Sequence, residues 1–232
     1  MCSPSGFTLT ELLVTIGIIG LLASLLMPAL SGAKQKARQT KCLNHVRQLG
    51  LALTLYADDF DGQFPPRRRA PTNWVTQLRA YYGEKEVLKC PQDAWREDRS
   101  YIINGWNDFF ESTLSGADFE RFRQWRWPNG MRQNAIPNPS ETISFGEKRT
   151  GSRHYHVDIT QGTRRNVTAG NDVTEVAQQR HKSSGGGSGR SGGANYAFVD
   201  GSVRFLHYGK AVNPVNMWAV TEEWRNAPPK LP

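Results

Sequence analysis

Residues 12–33 form 22 consecutive positions without a charge, and this run limits the chain more than any other feature. At about 1.5 Å per residue, a helix of that length crosses the roughly 30 Å hydrocarbon layer of a bilayer. The stretch therefore reads as a membrane helix. A cleaved secretory signal is the alternative, for which Ser31-Gly32-Ala33 offers small residues, although MCSPSG lacks the basic n-region of such signals. One carboxylate, Glu11, sits at the head of the run among Phe7, Leu9, Leu12 and Leu13. An acid at a bilayer edge is costly without a partner, which makes it a functional candidate.

The order GFTLTE resembles the prepilin cleavage and methylation motif of type IV pilins and type II secretion pseudopilins. The resemblance implies cleavage between Gly6 and Phe7 by prepilin peptidase, a membrane aspartic peptidase that also methylates the new amine of Phe7. It implies that Glu11 meets the amine of a neighbouring subunit during assembly, each charge making the other tolerable. Pro28 falls where many pilins carry a helix-distorting proline, and its missing N–H would loosen the preceding turn as a kink.

Beyond residue 33, Cys42, Val46, Leu49, Leu53 and Tyr56 recur at steps of three and four, with Lys34, Lys36, Arg38, Lys41 and Arg47 between them. This is one apolar stripe on a continuing helix. From Phe7 to about Ala57 it would measure about 75 Å, and Asp58, Asp59, Asp61 and Gly62 with Pro65-Pro66 end it. The boundaries expected are a leader at 1–6, a hydrophobic transmembrane or filament-core helix at 7–30, its amphipathic continuation at 31–60 and a globular head at 61–232.

AKQKARQTKCLNHVRQLGLALTLYADDFDGQFPP, VLKCPQD, SYIINGW, PSETISFGEK and GGANYAFVDGSVRFL occur in the order of a family of bacterial pilin-like proteins marked by a C-terminal H-X9-DG element. That family is common in planctomycetes and verrucomicrobia. Eighteen residues separate His181 from Asp200 instead of nine, and the insertion KSSGGGSGR supplies the excess. The last stretch reads as a β-hairpin, strands at 195–199 and 202–206 around Asp200-Gly201, a dipeptide suited to positive φ. Residues 142–145 and 155–159 are further strand candidates. The fold class expected is α+β and pilin-like, a long N-terminal helix packed on a C-terminal domain with an antiparallel sheet, with a mobile Ser/Gly-rich loop at 183–193.

Candidate chemistry is sparse. His154, His156 and Asp158 alternate along a strand candidate and would share one face, where solvation explains them better than a metal. No metal ligand set and no cofactor is assigned; calcium is a candidate for chains of this kind without assignable ligands here, since the Asp58–Gly62 cluster has no closing Glu at hand-type spacing. Arg121, Arg123, Trp125, Arg126 and Trp127 interleave cations with aromatics, and Arg67 to Arg69 add a second basic cluster; such patterns stack on bases or sugars. The net charge of +8 suits nucleic acid, anionic lipid or acidic polymer alike. Cys42 and Cys90 are the possible internal disulfide, Cys2 lying at the extreme N-terminus. No nucleophile elbow, Walker motif or zinc-protease motif is present, so no enzyme is expected.

The expectation is a pilin-like structural subunit, single-pass in a bacterial inner membrane with its head in the periplasm. Its partners would be like subunits in a homo- or hetero-polymer, prepilin peptidase, an assembly platform and the lipid bilayer, and its destination a type IV pilus or type II secretion pseudopilus. The alternative is a membrane-resident or tip-located minor subunit that binds DNA, polysaccharide or surfaces.

Overall fold

The computed structural model describes residues 8–93, 98–160, 171–181 and 190–227. By contact the chain divides into two units, Met1–Arg38 and Gln39–Pro232. Helix α1, Leu9–Asp59, runs through 51 residues with Pro28 inside it. Within the first unit the helix is exposed: thirteen large apolar side chains from Leu9 to Leu30 each show 53–76% of their surface. Burying a side chain of this kind is worth about 1.5–3 kcal/mol, so lipid or protein must cover this surface.

The second unit is built on a five-stranded sheet. Its strands are β1 (Tyr101–Asn104), β2 (Ile143–Glu147), β3 (His156–Val157), β4 (Gly193–Phe198) and β5 (Val203–His207), in the order β3-β1-β2-β4-β5. Pairings are antiparallel except that of β3 with β1. The sheet is mixed, rather than wholly antiparallel, because the chain reverses once after β2, near Gly151 (φ +81°), and so returns parallel to β1 on β1's far side. Short helices α2 (Trp74–Gln77), α3 (Asn107–Thr113), α4 (Gly116–Arg123) and α5 (Glu222–Arg225) complete the unit.

Both faces of the sheet are covered, which explains why β1, β2, β3 and β4 are buried along their whole length instead of alternating. On one face Cys42, Val46, Leu49, Leu53 and Tyr56 pack with Tyr101, Ile103, Phe145 and Ala197. Gly50 permits close approach here: a Cβ on it would stand 3.3 Å from that of Ala197. On the other face Trp218, Val212 and Ala219 cover Ile102, Tyr196 and Phe198. Ile143 and Phe145, two residues apart, join opposite faces because the register shifts between them.

The hairpin forms with shifted limits, and Gly201 alone takes positive φ (+83°) in its turn, while Asp200 accepts a bond from the Ser202 amide at 2.9 Å. Of the Ser/Gly-rich loop expected at 183–193, residues 183–189 lie outside the described residues. Its two ends are pinned: His181 and Gly193 exchange backbone hydrogen bonds of 2.9 and 3.2 Å.

Candidate functional site

At the start of α1 the polar contacts are local. The Thr8 amide and hydroxyl donate to Glu11 Oε2 at 2.9 and 2.6 Å, and the Glu11 amide donates back to Thr8 Oγ1 at 3.3 Å. Thr8 precedes the first helical residue and Glu11 stands three positions beyond it, which is a reciprocal capping box. The motif was legible as Thr-x-x-Glu before an apolar run, and reading Glu11 only as half of an intersubunit pair passes over it. In the single chain the carboxylate already has an internal partner. Gly6 and Phe7 lie outside the described residues. Pro28 has no N–H to offer the Ser24 carbonyl, and the Ser24 hydroxyl donates separately to Leu21 O at 2.7 Å.

In the second unit, Cys42 and Cys90 are joined by a disulfide, with Cα atoms 5.0 Å apart and a separation of 48 positions in sequence. Closing a loop of that length restricts the unfolded chain by on the order of 3–4 kcal/mol. Glu147 and His181 lie against it, all four groups buried with their ligating atoms within 4.8 Å. With both sulfurs bonded to each other, the cluster lacks the soft ligands a zinc site would use. His181 Nε2 instead meets Glu147 Oε1 at 2.7 Å, its Nδ1 faces Gln92 Oε1, and the Asn195 amide donates to Glu147 Oε2 at 3.1 Å.

The residues expected on a solvated strand face separate. His154 is exposed, but His156 is 5% and Asp158 2% exposed. The solvated reading fails for those two because segments distant in sequence cover them. Arg67 forks onto both Asp158 oxygens, one at 2.8 Å, and is itself capped by the Trp125 ring, 4.0 Å from guanidinium to centroid. Trp125 meets His156 edge-on at 5.2 Å.

The basic-aromatic cluster of α4 and the turn after it also divides. Arg121 pairs with Asp118 at 3.5 Å and Arg123 with Glu120 at 3.2 Å, exposed pairs worth only a few tenths of a kcal/mol. Trp127 lies 5.7 Å from the Arg121 guanidinium, Arg126 is exposed, and Trp125 alone turns toward Arg67. Asp61 and Gly62 adopt positive φ just beyond α1, the geometry of a helix stop.

Burial, and then the Arg67 and Arg99 cations, push the His156 ring well below its ordinary value. The folded protein thus binds that proton less readily than the unfolded chain, whose imidazole titrates near 6.5. Stability is full above pH of about 6.5 and falls on acidification below it, by up to about 1.4 kcal/mol per pH unit for this ring. His45, pushed down chiefly by burial, adds in the same direction. Asp158 and Asp108, pushed up by burial, act oppositely from about pH 4 upward. Urea midpoints of the full chain at pH 7.5 and 5.5 are expected to fall less for His156→Gln than for the natural sequence; an equal fall in both overturns the assignment.

An apolar helix with a Thr-x-x-Glu cap behind a Gly-Phe junction, followed by a sheet-centred head, defines a pilin-like chain of the pseudopilin class. Residues 1–27 match the prokaryotic N-terminal methylation motif, and residues 31–96 a family described as a protein of unknown function (DUF1559). The chain is 32% identical over 122 residues to the type II secretion system core protein G of Klebsiella michiganensis, covering 50% of this chain and 85% of that protein. It is 34% identical to that of Escherichia coli, over 50% and 83%, and 38% to that of Aeromonas hydrophila, over 48% and 84%. No solved structure matches it. The chain belongs to the type II secretion system core protein G family.

Proposed function

We propose that this chain is a structural subunit of a type II secretion pseudopilus, held in the inner membrane by α1 before assembly, with its head in the periplasm. Prepilin peptidase cuts between Gly6 and Phe7 and methylates Phe7. The subunits then polymerise, bringing the exposed apolar helices together in the filament core. One observation carries this reading: a long stretch of exposed apolar helix whose single acid stands at the membrane edge. Lipid covers that surface in the resting subunit and neighbouring helices cover it in the filament. The relatives named core protein G match about half of the chain, which favours secretion over the type IV pilus.

The Thr8–Glu11 cap adds a step. Glu11 is held by its own chain until a neighbour's Phe7 amine replaces Thr8 as its partner, so the carboxylate is never left without a donor in the apolar layer. No catalytic role is assigned. The test is the mature N-terminus: intact-mass and peptide mass spectrometry of membrane-purified protein should find N-methylated Phe7. A start at Met1, or one beyond Ser31, overturns the reading.

A further inference from the structure

Arg67, Arg69, Trp125, Arg153, Tyr155 and His156 line one pocket of about 260 Å³. It opens beside a larger cleft of about 600 Å³ that shares Ala70, Arg153 and Tyr155 with it. Three arginines here face a single carboxylate, Asp158, and both oxygens of that carboxylate are already taken by Arg67. Arg69 and Arg153 stand exposed at the pocket, so its uncompensated charge is positive.

Two further features mark the pocket as built. Arg67 Nε and His156 Nδ1 are buried without a hydrogen-bond partner among the described residues, although both side chains are more than nine-tenths buried. Each such nitrogen costs about 1–3 kcal/mol if it stays unpaired, so a polar partner entering the pocket would offset that cost. Trp125 is also held at φ +64°, an uncommon conformation for a bulky residue, and this places its indole as a wall of the pocket.

We propose that this pocket binds a hexuronate unit of an acidic polysaccharide, with Arg69 and Arg153 as the cations for its carboxylate and Trp125 and Tyr155 as walls for its ring. Guanidinium forks match carboxylates, and flat aromatic side chains suit the apolar faces of a sugar ring. A volume just under the roughly 300–1,000 Å³ of sites for drug-sized ligands fits one sugar unit, while the adjoining cleft gives a chain room to continue. Trp125 and Tyr155 already carry the Arg67 and Arg99 guanidinium groups and are only half-buried, and a bare phosphate would satisfy the cations without touching the ring surface they still expose. The site uses no residue of α1, so it stands independently of the assembly reading.

The test titrates the full chain in nonionic micelles with trigalacturonate, following tryptophan fluorescence and heat, beside parallel titrations with maltotriose and inorganic phosphate. Trigalacturonate is expected to bind, more weakly as salt rises, and to lose about tenfold or more in affinity in Arg69→Ala/Arg153→Ala. Both replaced residues are exposed, and far-ultraviolet circular dichroism checks that the variant is folded. Arg121→Ala/Arg126→Ala should change affinity less than about twofold. Absence of binding, equal binding of maltotriose, phosphate binding as tightly as the acidic sugar, or an unchanged Arg69→Ala/Arg153→Ala variant each overturns the proposal.

Discussion

Glu11→Gln is expected to leave the subunit inserted, processed and folded while reducing assembly at least about a hundredfold. The separation rests on what each interaction requires. A capping box accepts glutamine as readily as glutamate, because a neutral carbonyl oxygen can still take the Thr8 amide and hydroxyl. Helix initiation therefore survives the change. The proposed intersubunit pair would not, because a methylated amine entering an apolar core needs a negative partner, and removing one member of a buried pair costs about 3–5 kcal/mol. That cost recurs at every subunit added, and 3 kcal/mol alone lowers an association constant by more than about a hundredfold.

Glu11→Ala should assemble no better than Glu11→Gln and should also weaken the cap, by about 0.5–1.5 kcal/mol for the lost bonds to Thr8. The measurement is the fraction of subunit sedimenting as filament when the secretion genes are overexpressed, with processed membrane protein quantified alongside. If Glu11→Gln assembles normally and only Glu11→Ala fails, the carboxylate serves as a helix cap and its charge has no part in subunit registration.

The parts of the structure legible in the sequence are those that depend on local periodicity. Cys42, Val46, Leu49, Leu53 and Tyr56 could be read as a buried stripe because a 3.6-residue repeat leaves few other options, and all five are buried. The hairpin could be read from a Gly placed where a turn needs positive φ. What could not be read depends on long-range pairing. Arg67 and Asp158 are 91 positions apart, and nothing near either residue says that it has a partner. Alternation marked His154, His156 and Asp158 as one strand face, but only His156 falls in β3, and local pattern cannot say whether another segment covers a residue. The layer around Trp218 was missed for a similar reason, since residues 208–220 show neither helical nor strand period and are fixed by what they cover. At Glu11 the local signal is present, since Thr-x-x-Glu before an apolar run is legible as a cap, and one carboxylate carries both a charge and a hydrogen-bonding role.

Glu147→Ala is expected to destabilise the second unit by about 3–5 kcal/mol, a large part of the roughly 5–15 kcal/mol that holds an ordinary domain together. Glu147 closes β2 with 0% exposure and serves three groups at once: the His181 ring, the Asn195 amide and the Asn195 side chain, the last at 3.4 Å. Removing it strands the Asn195 backbone N–H and unpairs the His181 ring in a buried corner beside the disulfide, while the Asn195 side chain keeps Gln39 O at 3.5 Å, and a buried donor left unpaired bears its full desolvation cost. The same contacts fix the ends of the inserted loop, because His181 is pinned to Gly193 by backbone bonds and to β2 through Glu147. Loosening this corner should therefore open the His181–Gly193 pairing before the rest of the sheet. Glu147→Gln keeps the volume and an acceptor for the Asn195 amide, and is expected to cost about 1–3 kcal/mol. His181→Ala should cost less in the Glu147→Ala background than alone, with a coupling of about 1 kcal/mol or more, because the two side chains share one interaction. Urea unfolding of the full chain in micelles measures all four variants, and amide exchange at Asn195 reports the local opening. Additive effects of the two alanine substitutions would show that Glu147 and His181 stabilise the head separately, and the pinned-loop account would then fail.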